Sequence, residues 1–248
     1  MTFPRVVCPS GGATAADKPV PTRRTVDAFT RSLHALLALS FVGAYATAES
    51  EVFRLVHVTL GYTLGGLLVA RVLWGLAGPR PARLSVLWRK VKGLGAWLGA
   101  LRDGQPQWRQ GQNIFMGLGV IVLLLAIAPT VLTGYVTYQA WTGEWIEEVH
   151  EFFGNVMLVA VLAHVGGVIL LSGLRRRNLA LPMLTGRSEG PGPDLVSRNF
   201  RPLAVMLVLA VLAFWGWQWN EAGNVRSELA ASPVHAGPSR SQSTDDDD

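Results

Sequence analysis

Residues 149–171 read VHEFFGNVMLVAVLAHVGGVILL, an apolar stretch with one histidine near its start, His150, and another, His164, fourteen residues later. Fourteen residues make almost four turns of an α-helix, so both imidazoles leave the same face, about 21 Å apart along the axis. Ionisable side chains are costly inside a bilayer and mark functional sites there. The stretch therefore predicts a membrane-spanning helix with one functional histidine near each membrane surface.

Five apolar stretches predict an all-α integral membrane protein. Half of the 248 residues are apolar and only 16% are charged, whereas about 25% are charged in an average soluble domain. Each stretch has about the 20 residues that a helix needs to cross the hydrocarbon core. Their approximate bounds are 29–48, 54–77, 113–138, 148–173 and 202–219. We predict a four-helix transmembrane bundle followed by a fifth transmembrane helix.

The charges of the connecting loops predict the orientation in the membrane. Nineteen of the 22 Lys and Arg residues lie in three segments, 1–31, 71–112 and 174–202. Twelve of the 17 Asp and Glu residues lie on the opposite side. By the positive-inside rule, the N-terminus is cytoplasmic and the C-terminus is periplasmic. This pattern is expected of a multi-pass protein in a bacterial inner membrane.

The polar segments outside the apolar stretches divide the chain into four parts. We predict a flexible cytoplasmic tail (1–27), a four-helix core (28–188), a linker with the fifth helix (189–220) and a disordered acidic periplasmic tail (221–248). The net charge of +5 is distributed over several loops, which argues against a nucleic-acid-binding face. The single cysteine, Cys8, excludes a disulfide or a cysteine-ligated cluster within the chain.

Two further histidines match those of the fourth stretch in depth. Because successive helices alternate in direction, His34 lies in the cytoplasmic half of the first stretch and His57 in the outer half of the second. The predicted pairs are His34 with His164 on the inner side and His57 with His150 on the outer side. Four imidazoles in two pairs are the axial ligands that two haems b require. We therefore predict a haem-binding bundle with one haem iron near each membrane surface.

A haem-free transporter is the alternative from a different class of protein. Metal transporters also carry histidines within the membrane, but usually with carboxylates beside them. No Asp or Glu lies in the middle of any of the five stretches. The residue pattern therefore favours haem over an ion-translocation path.

Glycines follow two of the histidines at a spacing that would give a flat ligand clearance. Gly61 comes four residues after His57, and Gly154 four residues after His150. Positions i and i+4 share a helix face, so a porphyrin ring would meet no side chain there. Small residues also let transmembrane helices pack closely, which is the alternative explanation for either glycine.

An arginine precedes two of the histidines by three residues. Arg31 stands before His34 and Arg54 before His57. A guanidinium at this position can pair with a haem propionate through charge-assisted hydrogen bonds. Arg31 is equally well explained as a positive-inside anchor, whereas Arg54 is the only arginine in the outer loops between helices.

Several motifs surround the histidines. They are Arg71-Val-Leu-Trp74-Gly75, Ala82-Arg83-Leu84-Ser85, Gly111-Gln112-Asn113, Thr133-Gly134-Tyr135, Val149-His150-Glu151, Arg177-Asn178-Leu179 and Met183-Leu184-Thr185-Gly186-Arg187. With these motifs the chain resembles the prokaryotic cytochrome b561 and Ni,Fe-hydrogenase b-type cytochrome family over about residues 29–188. One departure is Gln112-Asn113-Ile114, where the family often has His-Asn-Pro. It lies outside the four ligand positions.

The resemblance implies electron transfer through two haems b between the quinone pool and a partner. Its ligands carry over by position as His34, His57, His150 and His164. The quinone site does not carry over to named residues, and a cytoplasmic-side pocket near the inner haem, lined by the Arg71–Trp74 region, is a separate hypothesis. The sequence shows no constellation of a nucleophile with a general base, so quinone oxidation or reduction is the only chemistry expected.

The sequence leaves three alternatives for the redox partner on the outer side of the membrane. A periplasmic c-type cytochrome or similar redox protein suits the acidic outer loops if its own surface is basic. Superoxide, whose electron passes to quinone in some relatives, is disfavoured by the same loops because it is an anion. The chain could also be the membrane-anchor subunit of a hydrogenase-like enzyme, and it could form a homodimer.

Overall fold

The computed structural model describes residues 21–105, 107–141 and 143–231, with only the backbone described for 225–231. The described part is mainly helical, which confirms the predicted all-α fold. The helices are α1 (Ala28–Ala46), α2 (Arg54–Ala77), α3 (Leu84–Lys92), α4 (Leu94–Arg102), α5 (Trp108–Tyr138), α6 (Trp145–Arg175), α7 (Leu181–Thr185) and α8 (Arg201–Ala231). Two short strands, β1 (Thr22–Arg24) and β2 (Arg187–Glu189), and two 3-10 turns, Glu51–Phe53 and Arg80–Ala82, complete the elements.

Four segments of the described residues are long and apolar enough to cross a membrane. They are Glu51–Ala77, Trp108–Tyr138, Trp145–Arg175 and Arg201–Asn224. α1 is not among them; it has 19 residues, two of which are Arg31 and His34. At 1.5 Å per residue α1 is about 28 Å long, close to the thickness of the hydrocarbon core.

α1, α2, α5 and α6 form an antiparallel bundle. α1 packs on α2, α2 on α5, and α5 on α6. The loops divide its surroundings into two ends. We call the end with segments 21–27, 78–105 and 176–200 the basic end, and the end with segments 47–53, 139–141 and 143–144, together with the first turns of α6, the acidic end. A layer of apolar side chains from all four helices fills the centre, namely Phe41, Leu64, Ala126, Ile127 and Met157.

The structure changes the predicted N-terminal boundary. Residues 21–27 were assigned to the flexible tail, but β1 pairs with β2 in an antiparallel register that places Arg23 opposite Ser188. Asp27 then caps α1 by accepting hydrogen bonds from the backbone N–H and the hydroxyl of Thr30, both at 2.8 Å. A three-residue strand has too little periodicity to be recognised in the sequence. Residues 1–20 of the predicted tail lie outside the described part.

The basic loop between the second and third apolar stretches contains α3 and α4, which the sequence analysis did not predict. Each has only nine residues, fewer than a periodicity argument needs. Both pack against α5. Trp97 of α4 lies so close to Gly111 that a Cβ at that glycine would be 2.7 Å from its indole ring.

α8 is longer than predicted. The apolar pattern predicts that the fifth helix ends near residue 219 and that 221–248 is disordered, but the helix continues to Ala231. Adding a residue to an existing helix gains one hydrogen bond without a new nucleation cost, so a polar segment can prolong it. α8 packs on α1 and α2, and the Trp215 indole N–H donates to the Thr63 hydroxyl at 2.9 Å. Residues 232–248 lie outside the described part.

Candidate functional site

The structure brings His57 and His150 together at the acidic end. Their ring centres are 6.0 Å apart, and the ring planes make an angle of 87°. Two imidazoles that ligate one iron through nitrogens about 2 Å from the metal have ring centres about 6 Å apart. The separation of this pair therefore fits a shared haem iron.

Backbone carbonyls fix the orientation of both rings. The Nδ1 of His57 lies 2.8 Å from the carbonyl oxygen of Ala44, and the Nδ1 of His150 lies 3.0 Å from that of Thr130. A carbonyl oxygen can only accept, so Nδ1 carries the proton in each ring. The Nε2 lone pair is then free to ligate a metal, as in metal-binding histidines held by a second hydrogen bond.

The end of α1 explains why the Ala44 carbonyl can accept from His57 at 2.8 Å, since its other hydrogen bonds, from the backbone N–H and the hydroxyl of Thr47, are longer at 3.3 and 3.2 Å. The last four carbonyls of a helix have no partner within that helix, and α1 ends at Ala46, two residues after Ala44. On the other ring, the Thr133 hydroxyl lies 3.2 Å from the Nδ1 of His150 and gives a second, longer contact.

Three glycines shape the space around the acidic-end pair. A Cβ at Gly61 or at Gly154 would meet nothing within 4 Å, so each glycine borders open space, as the clearance argument requires. Gly134 of α5 has the opposite surroundings, because a Cβ there would lie 2.7 Å from the Cε1 of His150. Sequence reasoning missed this role of Gly134, although the Thr133-Gly134-Tyr135 motif contained it.

The basic-end histidines are less firmly held. His34 is exposed and His164 is half-buried, and the two rings are near enough to interact electrostatically. The Nδ1 of His164 is buried and has no hydrogen-bond partner. No described residue hydrogen-bonds either ring nitrogen of His34. An apolar cavity of about 170 Å³ between α5 and α6 borders His164.

The central apolar layer separates the two pairs. Met157 lies seven residues from both His150 and His164 on α6. Phe41 and Leu64 follow His34 and His57 by the same seven residues on α1 and α2. Seven residues are about two turns, or 10.5 Å, so each pair lies about two turns from the centre of the bundle.

The two arginines proposed for propionates contact other groups in the structure. Arg31 donates from Nη1 to the carbonyl of Leu184 at 2.8 Å, and its Nε is buried without a partner. The side chain of Arg54 is 62% exposed and lies 3.8 Å from the Glu51 carboxylate.

In the predicted quinone region at the basic end, the side chains of Arg71 and Trp74 make several hydrogen bonds and ring contacts with neighbouring segments. The Trp74 indole N–H donates to the Thr30 hydroxyl at 3.1 Å, and its ring packs between Phe29 and Phe200 at centre distances of 4.5 and 5.0 Å. Arg71 donates to the carbonyl of Ala82 at 3.2 Å and interacts electrostatically with buried Asp27. These contacts join the ends of α1 and α2 to the start of α8.

The donor set suits haem better than a bare metal ion. Within the described residues, no three or more His, Cys, Asp and Glu side chains group together as a metal site. A bis-histidine haem needs only two protein ligands, because the porphyrin supplies the other four nitrogens. The 6.0 Å separation, the free Nε2 atoms and the open space beside Gly61 and Gly154 meet that requirement.

Comparison with known families identifies the chain. Residues 25–186 match the family model described as prokaryotic cytochrome b561, a segment that spans more than half of the chain and includes all four intramembrane histidines. Neither the curated proteins nor the solved structures gave a match. The resemblance seen in the sequence is thereby confirmed. The chain belongs to the prokaryotic cytochrome b561 family, which are membrane b-type cytochromes that bind haem and transfer electrons.

Proposed function

We propose that this protein carries electrons across the bacterial inner membrane through two haems b, one at each histidine pair. It would connect the quinone pool to a periplasmic redox protein such as a c-type cytochrome. The observation that carries the proposal is the acidic-end pair, whose rings lie 6.0 Å apart with both Nδ1–H groups directed at backbone carbonyls. When bound, haem b supplies one-electron chemistry by cycling between Fe(III) and Fe(II).

The protein holds the imidazoles at fixed positions. His57 and His150 lie on long helices, and their hydrogen bonds to the carbonyls of Ala44 and Thr130 restrict ring rotation. Electron transfer is fast when ligands move little between oxidation states, so rigid ligands favour it. The apolar layer around Met157 excludes water between the two pairs.

Arg31 and Arg54 are proposed partners for the haem propionates. A guanidinium has five N–H donors, and in the structure each arginine uses only part of them. Arg31 makes one hydrogen bond, to Leu184, and the exposed Arg54 makes one long ion pair, with Glu51. Both side chains therefore keep donors for a carboxylate.

The acidic end supports a basic redox partner. Six exposed glutamates lie there: Glu49, Glu51, Glu144, Glu147, Glu148 and Glu151. An acidic surface steers a protein with a basic face and repels an anion. A c-type cytochrome with a basic haem edge therefore fits this surface better than superoxide does.

The basic end is the proposed cytoplasmic and quinone-exchanging side. Its loops carry most of the Lys and Arg residues, which is the positive-inside pattern. Near Arg71 and Trp74, a quinone would meet both a guanidinium donor and aromatic side chains.

Haem stoichiometry tests the proposal directly. We expect the protein purified in mild detergent to give two haems b per chain in a pyridine haemochrome assay. His57→Ala and His164→Ala should each lose one haem, whereas His235→Ala, the fifth histidine of the chain, should keep both. An unchanged haem content in both ligand variants, or no haem in the unmodified protein, would contradict the proposal.

Reduction kinetics test the partners. The dithionite-reduced protein should be reoxidised by a short-chain ubiquinone, and the oxidised protein should be reduced by a basic c-type cytochrome supplied in its ferrous form. The second reaction should slow as ionic strength rises, because salt screens the glutamates. Reduction by superoxide but not by the cytochrome would replace the proposed partner.

A further inference from the structure

Three consecutive arginines at the end of α6 differ in their partners. Arg175 joins α6 to α5, because it donates to the side chains of Gln112 and Asn113 at 2.8 and 3.0 Å. Arg176 and Arg177 are exposed, and their guanidinium groups form no hydrogen bond or ion pair with any described residue. Two guanidinium groups at the basic end are therefore available to an anion.

The turn that follows α6 places both arginines at a cleft. Arg176 has the left-handed backbone angles φ 50° and ψ 37°, which end the helix and reverse the chain. The backbone N–H of Leu179 then donates to the Ser172 hydroxyl at 3.0 Å and holds the turn against the last turns of α6. The cleft has a volume of about 450 Å³ and is bordered by Ile169 and Ser172 of α6 and by Arg176 and Arg177 of the turn. This volume is within the range of roughly 300–1,000 Å³ that is usual for small-molecule sites.

The cleft extends from the level of the lipid headgroups towards the acyl chains. Its arginines come directly after the run 152–174, which contains no Asp, Glu, Lys or Arg, and charged residues that end such a run lie among the headgroups. Ile169 comes seven residues before Arg176 and therefore about 10.5 Å deeper in the membrane. Leu162 and Val165 lie on the same face of α6 as Ile169, and all three side chains are exposed. The cationic part of the cleft thus continues into an apolar helix face.

We propose that this cleft binds one molecule of an anionic phospholipid from the leaflet at the basic end. The lipid phosphate accepts charge-assisted hydrogen bonds from Arg176 and Arg177, and an acyl chain lies along the face that begins at Ile169. Residues 152–188 contain no Asp or Glu, so the ammonium group of a zwitterionic lipid has no carboxylate partner in this segment. A soluble anion would leave the apolar face uncovered. The lipid site does not depend on haem and goes beyond the proposed function.

Lipid titrations of the purified full-length protein, followed by native mass spectrometry, test the proposal. We expect one phosphatidylglycerol molecule to bind per chain in preference to phosphatidylcholine, and glycerol phosphate to show no comparable binding. Equal affinity for the two lipids would overturn the selectivity for an anionic headgroup. Equal affinity for glycerol phosphate and phosphatidylglycerol would show that the cleft binds a free anion and would overturn the lipid.

A double substitution tests the two arginines. Arg176→Gln with Arg177→Gln should weaken phosphatidylglycerol binding about 30-fold, because each arginine near an anionic surface contributes about fivefold. The matched control is Arg102→Gln with Arg109→Gln, which removes the same charge from two exposed arginines of the basic end that do not border the cleft. This control should retain the parental affinity. Equal weakening in both double variants would show a general effect of charge and would overturn the site.

A substitution in the apolar part keeps the proposal testable if the arginine variant does not fold. Ile169→Trp fills the cleft below the arginines and should weaken phosphatidylglycerol binding at least fivefold. Leu170→Trp is the matched control, because Leu170 is also exposed but does not border the cleft. The same affinity in both variants would overturn the proposed position of the acyl chain.

Discussion

Each end of the bundle carries a pair of histidines, but the hydrogen bonds of the imidazole rings differ between the two ends. His57 meets the end of α1, where the carbonyls lack the regular i+4 hydrogen bond, and donates to the carbonyl of Ala44. His34 lies in the second turn of α1, and no described carbonyl accepts a hydrogen bond from its ring. The comparison teaches that the acidic-end rings gain their acceptors from neighbouring helices, His57 from the end of α1 and His150 from the interior of α5.

The largest effect is expected from a substitution that disrupts the acidic-end haem site and leaves the basic-end site intact. Gly134→Ala places a Cβ 2.7 Å from the Cε1 of His150 and must displace that ring. We expect the haem content to fall by close to one of two per chain, measured by pyridine haemochrome. Gly119→Ala is the matched control on the same helix, because its Cβ would lie 4.0 Å from the Nδ1 of His164, an ordinary contact. Equal losses in both variants would contradict the close approach at Gly134.

A smaller effect is expected at the basic end. Asp27→Ala removes the cap of α1 and the buried carboxylate near Arg71, and we expect a loss of about 1–2 kcal/mol in the free energy of unfolding. Thermal unfolding in detergent, followed through haem absorbance, measures it. Asp27→Asn retains the capping oxygen and should lose less. If Asn and Ala destabilise equally, the carboxylate charge rather than the cap is the important contribution.

The smallest effect concerns the orientation of one ring. Thr133→Val removes the 3.2 Å contact to the Nδ1 of His150 but leaves the 3.0 Å bond to the carbonyl of Thr130. Perpendicular imidazole planes leave two iron d orbitals nearly equal in energy, so the 87° angle predicts a strongly anisotropic low-spin EPR signal for this haem. That signal should persist in Thr133→Val. Loss of the signal would show that the Thr133 hydroxyl, and not the Thr130 carbonyl, fixes the orientation of the His150 ring.

Much of the fold could be predicted from local patterns. Apolar runs of about 20 residues predicted α2, α5, α6 and α8, because the bilayer requires that length. α3, α4 and β1 were missed, since three to nine residues carry too little periodicity. The end of α8 at Ala231 was missed because a polar sequence does not by itself stop a helix.

In the candidate site, too, local spacing could be predicted from the sequence, whereas contacts between helices could not. The spacing of His150 and His164 could be read directly, because side chains fourteen residues apart share a helix face. The contact between Gly134 and His150 could not, because it joins two helices at a register that only packing sets. The contacts of Arg31 and Arg54, with Leu184 and with Glu51, also depend on where neighbouring segments lie.

The sequence by itself determined the membrane class and the family motifs and predicted which histidines share one end of the bundle, because these follow from composition and helical period. The tertiary structure decided which backbone groups meet the imidazoles. The carbonyls of Ala44 and Thr130 carry no side-chain identity that a sequence could display. Their availability depends on where one helix ends and how closely another packs against it, and that contact makes the two ends of the bundle different.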